Sequence, residues 1–328
     1  MSLDNKRAGK LSAHFRIKPA DTYIWNLSEL VDFLIDNQNQ HIILDNNTEG
    51  CCAETIGLYH WLDKFKFASV TFCTANVLEQ HQSYQIVFKD VWKFLSVTRP
   101  IESTLHVWNK KTIFGLLYGR PLWHRLGLAA HMLSHHASIS TINMLPDPNI
   151  IDARQLFEVN QLWQNHLDSF VNFAKILMHL PYCQANIEPY TPGSTLTDGF
   201  VAQTKNIYSD FFIDLVAETF TSGNCFFITE KTVRPMLLKK PFIIFGSRNY
   251  LVYLRQMGFR TFGDFWDENY DGYEGADRYI RILELIDTLA GKSFDELESM
   301  YWDMQYTLNH NYNLLINQKF HRNIKYLK

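Results

Sequence analysis

The sequence is poor in the signatures that assign a function outright. It contains no G-x-x-x-x-G-K-[ST] and no G-x-G-x-x-G, which removes the P-loop and the glycine fingerprint of dinucleotide sites. H-E-x-x-H and G-x-S-x-G are also missing, so neither a zincin helix nor a serine nucleophile elbow is present. No run of 18 apolar residues occurs, which excludes a membrane-spanning helix. The five cysteines form no C-x-x-C, and the adjacent Cys51 and Cys52 are badly spaced for chelating a metal. Reduced thiols in a reducing compartment follow from that usage. Residues 1–21 lack the apolar stretch of a signal peptide, so the expectation is a soluble, cytoplasmic protein. Charge bias is small too: 31 Lys and Arg against 34 Asp and Glu give a net charge of −3. That excludes a generally basic nucleic-acid binder while leaving room for a local basic groove.

What is present describes an ordinary globular chain, 46% hydrophobic and 20% charged over 328 residues. That length suits two domains or one large one. Residues 1–22 are polar and basic and read as a frayed terminus or a basic arm. Beyond them, helical spacing (WNLSELVDFLID) alternates with short apolar runs (HIILD, FASVTFCTAN), without hairpin signals. The alternation resumes at KKTIFGLLYG, followed by Arg120-Pro121 and the helical LWHRLGLAAHMLSHH. Pro121 suits a first helical position, which places Gly119 and Arg120 in a strand-to-helix turn. Further on, IYSDFFIDLVAET reads as a strand ending at Glu218, and PFIIFGS as a buried strand. Ser293 and Glu296 form a capping box that opens the C-terminal helices. Together these predict an α/β protein with parallel sheets.

The residues richest in chemistry are Thr229-Glu230-Lys231-Thr232, which lead into EKTVRPMLLKK. A polar loop opening a helix offers backbone N–H groups and a positive dipole end. Lys231 and Arg234 add fixed positive charge suited to a diphosphate, and Glu230 is placed to accept hydrogen bonds from vicinal hydroxyls. The same residues also fit a plain amphipathic helix capped by a threonine. His131 and His135 stand one helical turn apart, but no third ligand is evident, so an ordinary helix face is expected and no metal site. Trp266, between Phe265 and Asp267, is a candidate for stacking on a base or sugar. The acids Asp264, Asp267, Glu268 and Asp271 around it read as a solvated loop.

Glu218 together with ITEKTVRPMLLKKPFIIFGS resembles the nucleotide-sugar site of GT-B glycosyltransferases of the fucosyltransferase and exostosin-like group. The upstream KKTIFGLLYGRPLWHRL resembles that group's strand, turn and Arg-bearing helix, and RTFGDFWDENYD the region after its donor strand. The likeness spans about residues 110–270. It implies a GT-B-like fold of two Rossmann-like lobes with an interlobe cleft. Residues 1–109 would form an acceptor-side lobe and 110–290 a nucleotide-sugar lobe, with helices in 291–328 packing back across them. It further implies that Lys231 contacts the pyrophosphate and Glu230 the ribose, with Arg120 or Arg125 as a second phosphate clamp. Thr229 and Glu218 would line the donor pocket, with Thr232 and Arg234 beside them. The chain departs from the pattern at Glu218-Thr219-Phe220, where that group has a Glu-Asn pair, which leaves donor base and sugar open.

The implied activity is transfer of a monosaccharide from a nucleoside diphosphate sugar, such as a UDP- or GDP-sugar, to an acceptor hydroxyl, with no other cofactor. The chain lacks the D-x-D that metal-dependent sugar transferases often carry, so no essential metal is expected. Inverting transfer needs a base on the acceptor side; Asp45 and Glu49, after an N-terminal strand, are the candidates, with helix capping as their alternative role. The acceptor would be a glycan. Proteins of this look also occur in viruses and phages, where a hydroxymethylated DNA base in the host cytoplasm would serve. A non-catalytic nucleotide- or glycan-binding module on the same fold is the alternative function.

Overall fold

The structure, a computed structural model, describes residues 12–19, 23–46, 50–90, 108, 110–119, 122–144, 182–183, 207–317, 320, 323–324 and 327. Glu49 and Arg120 lie outside them. The chain divides into two compact units. One comprises Met1–Val91 with Ser222–Phe227, and the other Trp92–Thr221 with Ile228–Leu327. The helices within 294–316 fall in the second of these units.

The first unit is built on four parallel strands, β1 (Ala13–Arg16), β2 (His41–Asn46), β3 (Ser69–Thr74) and β4 (Gln85–Phe88), adjacent in that order. β1 corrects the reading of the N-terminal segment as a frayed arm. Phe15 pairs in register with Leu44 and packs on Phe33 of helix α1 (Leu27–Asp36), with ring centroids 5.1 Å apart. The strand is short and on the edge, and its side chains alternate between half-buried and exposed, so it carries little hydrophobic signal. β2 shows period two more plainly, burying Ile42, Leu44 and Asn46 while His41, Ile43 and Asp45 stay half-exposed. After Cys51 the chain runs mostly through turns. Only Leu58–Leu62 (α2) is helical, because the chain passes through a left-handed Gly57 (φ 74°) just before it. Among the described residues the strands of this sheet follow chain order without reversal.

The second unit is a five-stranded sheet in the order β7-β6-β5-β8-β9. Its strands are β5 (Thr112–Tyr118), β6 (Ser140–Met144), β7 (Tyr182–Cys183), β8 (Phe211–Ala217) and β9 (Phe242–Phe245), all parallel except the short edge strand β7. β8 and β9 are buried throughout and β5 almost so, as expected of strands covered on both faces. Gly115 sits where a Cβ would come within 2.5 Å of the Phe211 ring on the neighbouring strand, so side-chain bulk there is taken up by Phe211. The helices are α3 (Trp123–His135), α4 (Glu230–Leu237), α5 (Tyr250–Gln256), α6 (Gly275–Ala290), α7 (Phe294–Asp303) and α8 (Gln305–Ile316). The Ser293–Glu296 capping box opens α7 as expected, and α8 packs on α4. Among the described residues no helix is long and apolar enough to cross a membrane. Cys51, Cys52, Cys73 and Cys225 are buried thiols.

The loop after α5 needs correction on three points. Trp266 is buried and stacks on Phe262 at 5.1 Å, so it fills core space instead of offering a platform to a ligand. Asp271 and Glu268 are not solvated. Asp271 is ion-paired with Arg278 at 2.9 Å, and Glu268 accepts from Thr261, from the Phe262 N–H and from Arg255. Asp271 and Glu268 thus answer a buried cation and backbone N–H groups, a cause that composition alone does not reveal, while Asp264 and Asp267 are exposed as expected.

Candidate functional site

The order of the second sheet locates the site. The chain starts in the middle with β5, moves outward to β6, and later returns to β8 on the other side of β5. The reversal falls between β5 and β8, and ligands of open α/β sheets bind outside the carboxyl ends of the strands at such a point. Residues 119–122 follow β5 there and lead into α3, while Glu218 follows β8 directly.

The first turns of α3 and α4 are both tied to that edge through Glu218. His124, in the first turn of α3, lies 2.8 Å from the Glu218 carbonyl through Nε2, which therefore carries the donating proton. Burial, and after it the neighbouring Arg125 cation, push the His124 pKa down to about 3, so the ring is neutral. Arg125 donates through Nε and Nη2 to the Ala217 carbonyl at 3.2 and 3.0 Å. The Glu218 carboxylate is buried and receives three hydroxyls: Thr229 at 2.6 Å, Thr232 at 2.5 Å and Tyr250 at 3.2 Å. Glu218 thus acts as a bracket that holds the mouth of α4 against the end of β8.

Thr229 is the N-cap of α4, accepting from the Lys231 N–H at 3.1 Å, so the capping reading is realised in the structure. Lys231 Nζ stands 2.7 Å from Glu230 Oε1 and 3.4 Å from Thr229 Oγ1, with its side chain one-fifth exposed. Glu230 is two-fifths exposed; burial works against its charge, but the Lys231 ammonium more than offsets this and holds the carboxyl at about 2. A pKa depressed on folding adds stability above the ordinary carboxylate range near 4.5, and that stability is lost as pH falls through about 2. The stability difference between wild type and Glu230→Gln should therefore be flat near neutrality and shrink toward acid. Solvent screening keeps it small, and denaturant midpoints measured across pH will show it.

Arg234, also expected at the phosphate site, faces the other way. Its Nε donates to the Tyr208 hydroxyl, and its Nη2 lies 3.8 Å from the buried Asp214 carboxylate. Asp214 is raised by burial, and the Arg234 cation opposes that rise. Three turns of sequence logic thus separate into two jobs: Lys231 at the open mouth of α4, Arg234 in the core beneath it. No family model matches the sequence, and no curated protein matches it. One solved structure similar to the chain is titled a crystal structure of a glycosyltransferase from Rickettsia africae ESF-5. It shares 10% identity over 92% of this chain and 80% of that one, with a TM-score of 0.35, and none of the site's chemistry rests on it.

In the first unit, Asp45 is placed near the carboxyl end of β2, 3.5 Å from His14 Nε2. Sequence reasoning missed a buried acid in the same unit. Glu79 is buried and accepts from the Tyr59 hydroxyl at 2.6 Å, the Ala53 N–H at 3.0 Å and Asn76 at 3.2 Å. Burial raises its pKa, against the pull of these donors. Glu79 follows β3 in an unremarkable stretch, and only the convergence of donors from three segments marks it.

Proposed function

We propose that the chain is a metal-independent GT-B-type glycosyltransferase that binds a nucleoside diphosphate sugar in its second unit and an acceptor in its first. One observation carries this reading: the cationic, threonine-capped mouth of α4 lies at the carboxyl edge of the sheet, at its switch point between β5 and β8. The motif resemblance supplies the reaction class. Lys231 would neutralise charge on the departing diphosphate while the first-turn N–H groups of α4 point toward it. Glu230 would accept from the ribose hydroxyls once Lys231 turns to phosphate. Arg125, committed to the Ala217 carbonyl, would act by fixing the β8 end, and Arg120 remains the proposed second clamp. On the acceptor side, Asp45 or Glu49 would take the hydroxyl proton. A glycan hydroxyl is the proposed acceptor, with a hydroxymethylated base in phage DNA as the narrower version.

The second reading is a non-catalytic nucleotide- or glycan-binding module on the same fold. Calorimetric titration of the full chain with UDP and GDP, then with their sugars, tests both. Saturable binding with release of free diphosphate when an acceptor is added is the expected result. Binding without turnover against a panel of acceptors favours the module, and no binding to either diphosphate overturns both.

A further inference from the structure

Three metal-competent side chains converge at the far end of α3, away from the donor site. His131 Nε2 and His136 Nε2 both approach the same carboxylate oxygen, Asp287 Oδ1, at 2.8 and 2.6 Å. One ligand atom from each of the three lies within 4.8 Å of the others. His131 lies in α3, His136 is the residue that terminates it, and Asp287 comes from α6, more than 150 residues along the chain. The His131 and His136 side chains are largely enclosed, at 8% and 15% exposure, while Asp287 is half-exposed. A fourth candidate, His135, is exposed, with its ring centroid 4.8 Å from that of His131.

We propose that His131, His136 and Asp287 form a binding site for a divalent transition-metal ion of the zinc type that clasps the C-terminal end of α3 to α6. Two imidazoles and a carboxylate are a donor set zinc favours, and water or His135 would complete a tetrahedron. On binding, each imidazole moves its proton to Nδ1 and presents the Nε2 lone pair, so the close Nε2–Asp287 approaches become shared coordination. The placement argues for a structural role. α3 runs back from the carboxyl edge, and Ser140 of β6, just after His136, pairs with Phe114 near the start of β5. The cluster therefore lies at the amino edge of the sheet, and the ion would cross-link two helices rather than act on substrate.

The test uses the full-length, tag-free chain after chelator treatment, titrated with Zn2+ by calorimetry and with Co2+ by visible absorption. Expected are one saturable site per chain, the d–d bands of four-coordinate cobalt, and a Zn2+-dependent rise in Tm. Asp287→Asn and His136→Gln, whose folding is checked by metal-free Tm, should each weaken binding by more than the roughly 10–100-fold that loss of a ligand's supporting partner costs. Absence of a stoichiometric site would show a hydrogen-bonded cluster only and overturn the proposal. Equal affinity in the folded variants would overturn it as well, by assigning the ion to other histidines.

Discussion

Replacing Arg278 with methionine should lower the stability of the second unit by about 3–5 kcal/mol, the range seen when one partner of a buried ion pair is removed. Arg278 is fully buried and pairs with Asp271 at 2.9 Å. Its two terminal nitrogens also donate to the carbonyls of Ile244, Ser247, Asp271 and Tyr273. On the far side, Asp271 accepts from the N–H groups of Leu251 and Val252 at 2.9 and 3.3 Å, capping α5. Such a cap is needed because Asn249, which precedes α5, is left-handed (φ 63°) and makes no side-chain cap of its own. Methionine matches much of the arginine's volume but leaves the buried Asp271 carboxylate without its counterion. Urea denaturation followed by circular dichroism will read the loss as a lower midpoint. A midpoint equal to wild type would show that the pair contributes nothing net. Asp271→Asn should cost less, because an amide oxygen can still accept from the α5 N–H groups.

Replacing Lys231 with alanine should leave folding intact and reduce glycosyl transfer by roughly 10²–10³-fold, the cost of removing one donor from a site of developing charge. The lysine is partly exposed, and its hydrogen bonds involve only the neighbouring Glu230 and Thr229 side chains, so little packing depends on it. The Thr229 cap survives because it uses the residue 231 backbone N–H, which alanine retains. Loss of the cation also lets the Glu230 pKa rise from its depressed value and leaves the existing carboxylate charge without the Lys231 counterion beside any incoming diphosphate. Affinity for UDP or GDP should therefore fall along with turnover. Lys231→Arg should restore part of both, since charge returns in a different shape. An alanine variant with unchanged diphosphate affinity would reduce residue 231 to a helix-cap neighbour and remove the basis of the proposed donor site.

The readable parts of the fold are those whose burial is continuous along the chain. β5, β8 and β9 are mostly apolar runs covered on both faces, broken within β8 only by Asp214, so each announces itself in four to seven residues. β1 escapes because it alternates, is four residues long and sits on an edge. Strand order was not legible at all, since the pairing of Phe114 with Ile213 depends on contacts that no local pattern encodes. The site divides in the same way. The Thr229 cap and the Lys231 cation follow from four consecutive residues, whereas the inward turn of Arg234 is set by Tyr208 and Asp214. Asp287, the third member of the histidine cluster, comes from a helix 151 residues beyond His136, and the i,i+4 spacing drew attention to His135 instead.

The return of Ser222–Phe227 to the first unit has a practical consequence for dissecting the protein. Those six residues supply the Asn224 carbonyl and the Phe226 N–H that engage the two ends of the Asn76 amide at 2.9 and 3.0 Å, and the Cys225 thiol that reaches the Gly50 carbonyl. A recombinant fragment stopped at residue 91 would expose those polar groups and lose the Phe227 ring that packs over Gly50. The amino-terminal unit is thus no autonomous module to be cloned alone. Its maturation must wait until the ribosome has passed residue 227, well after the strands of its own sheet have emerged.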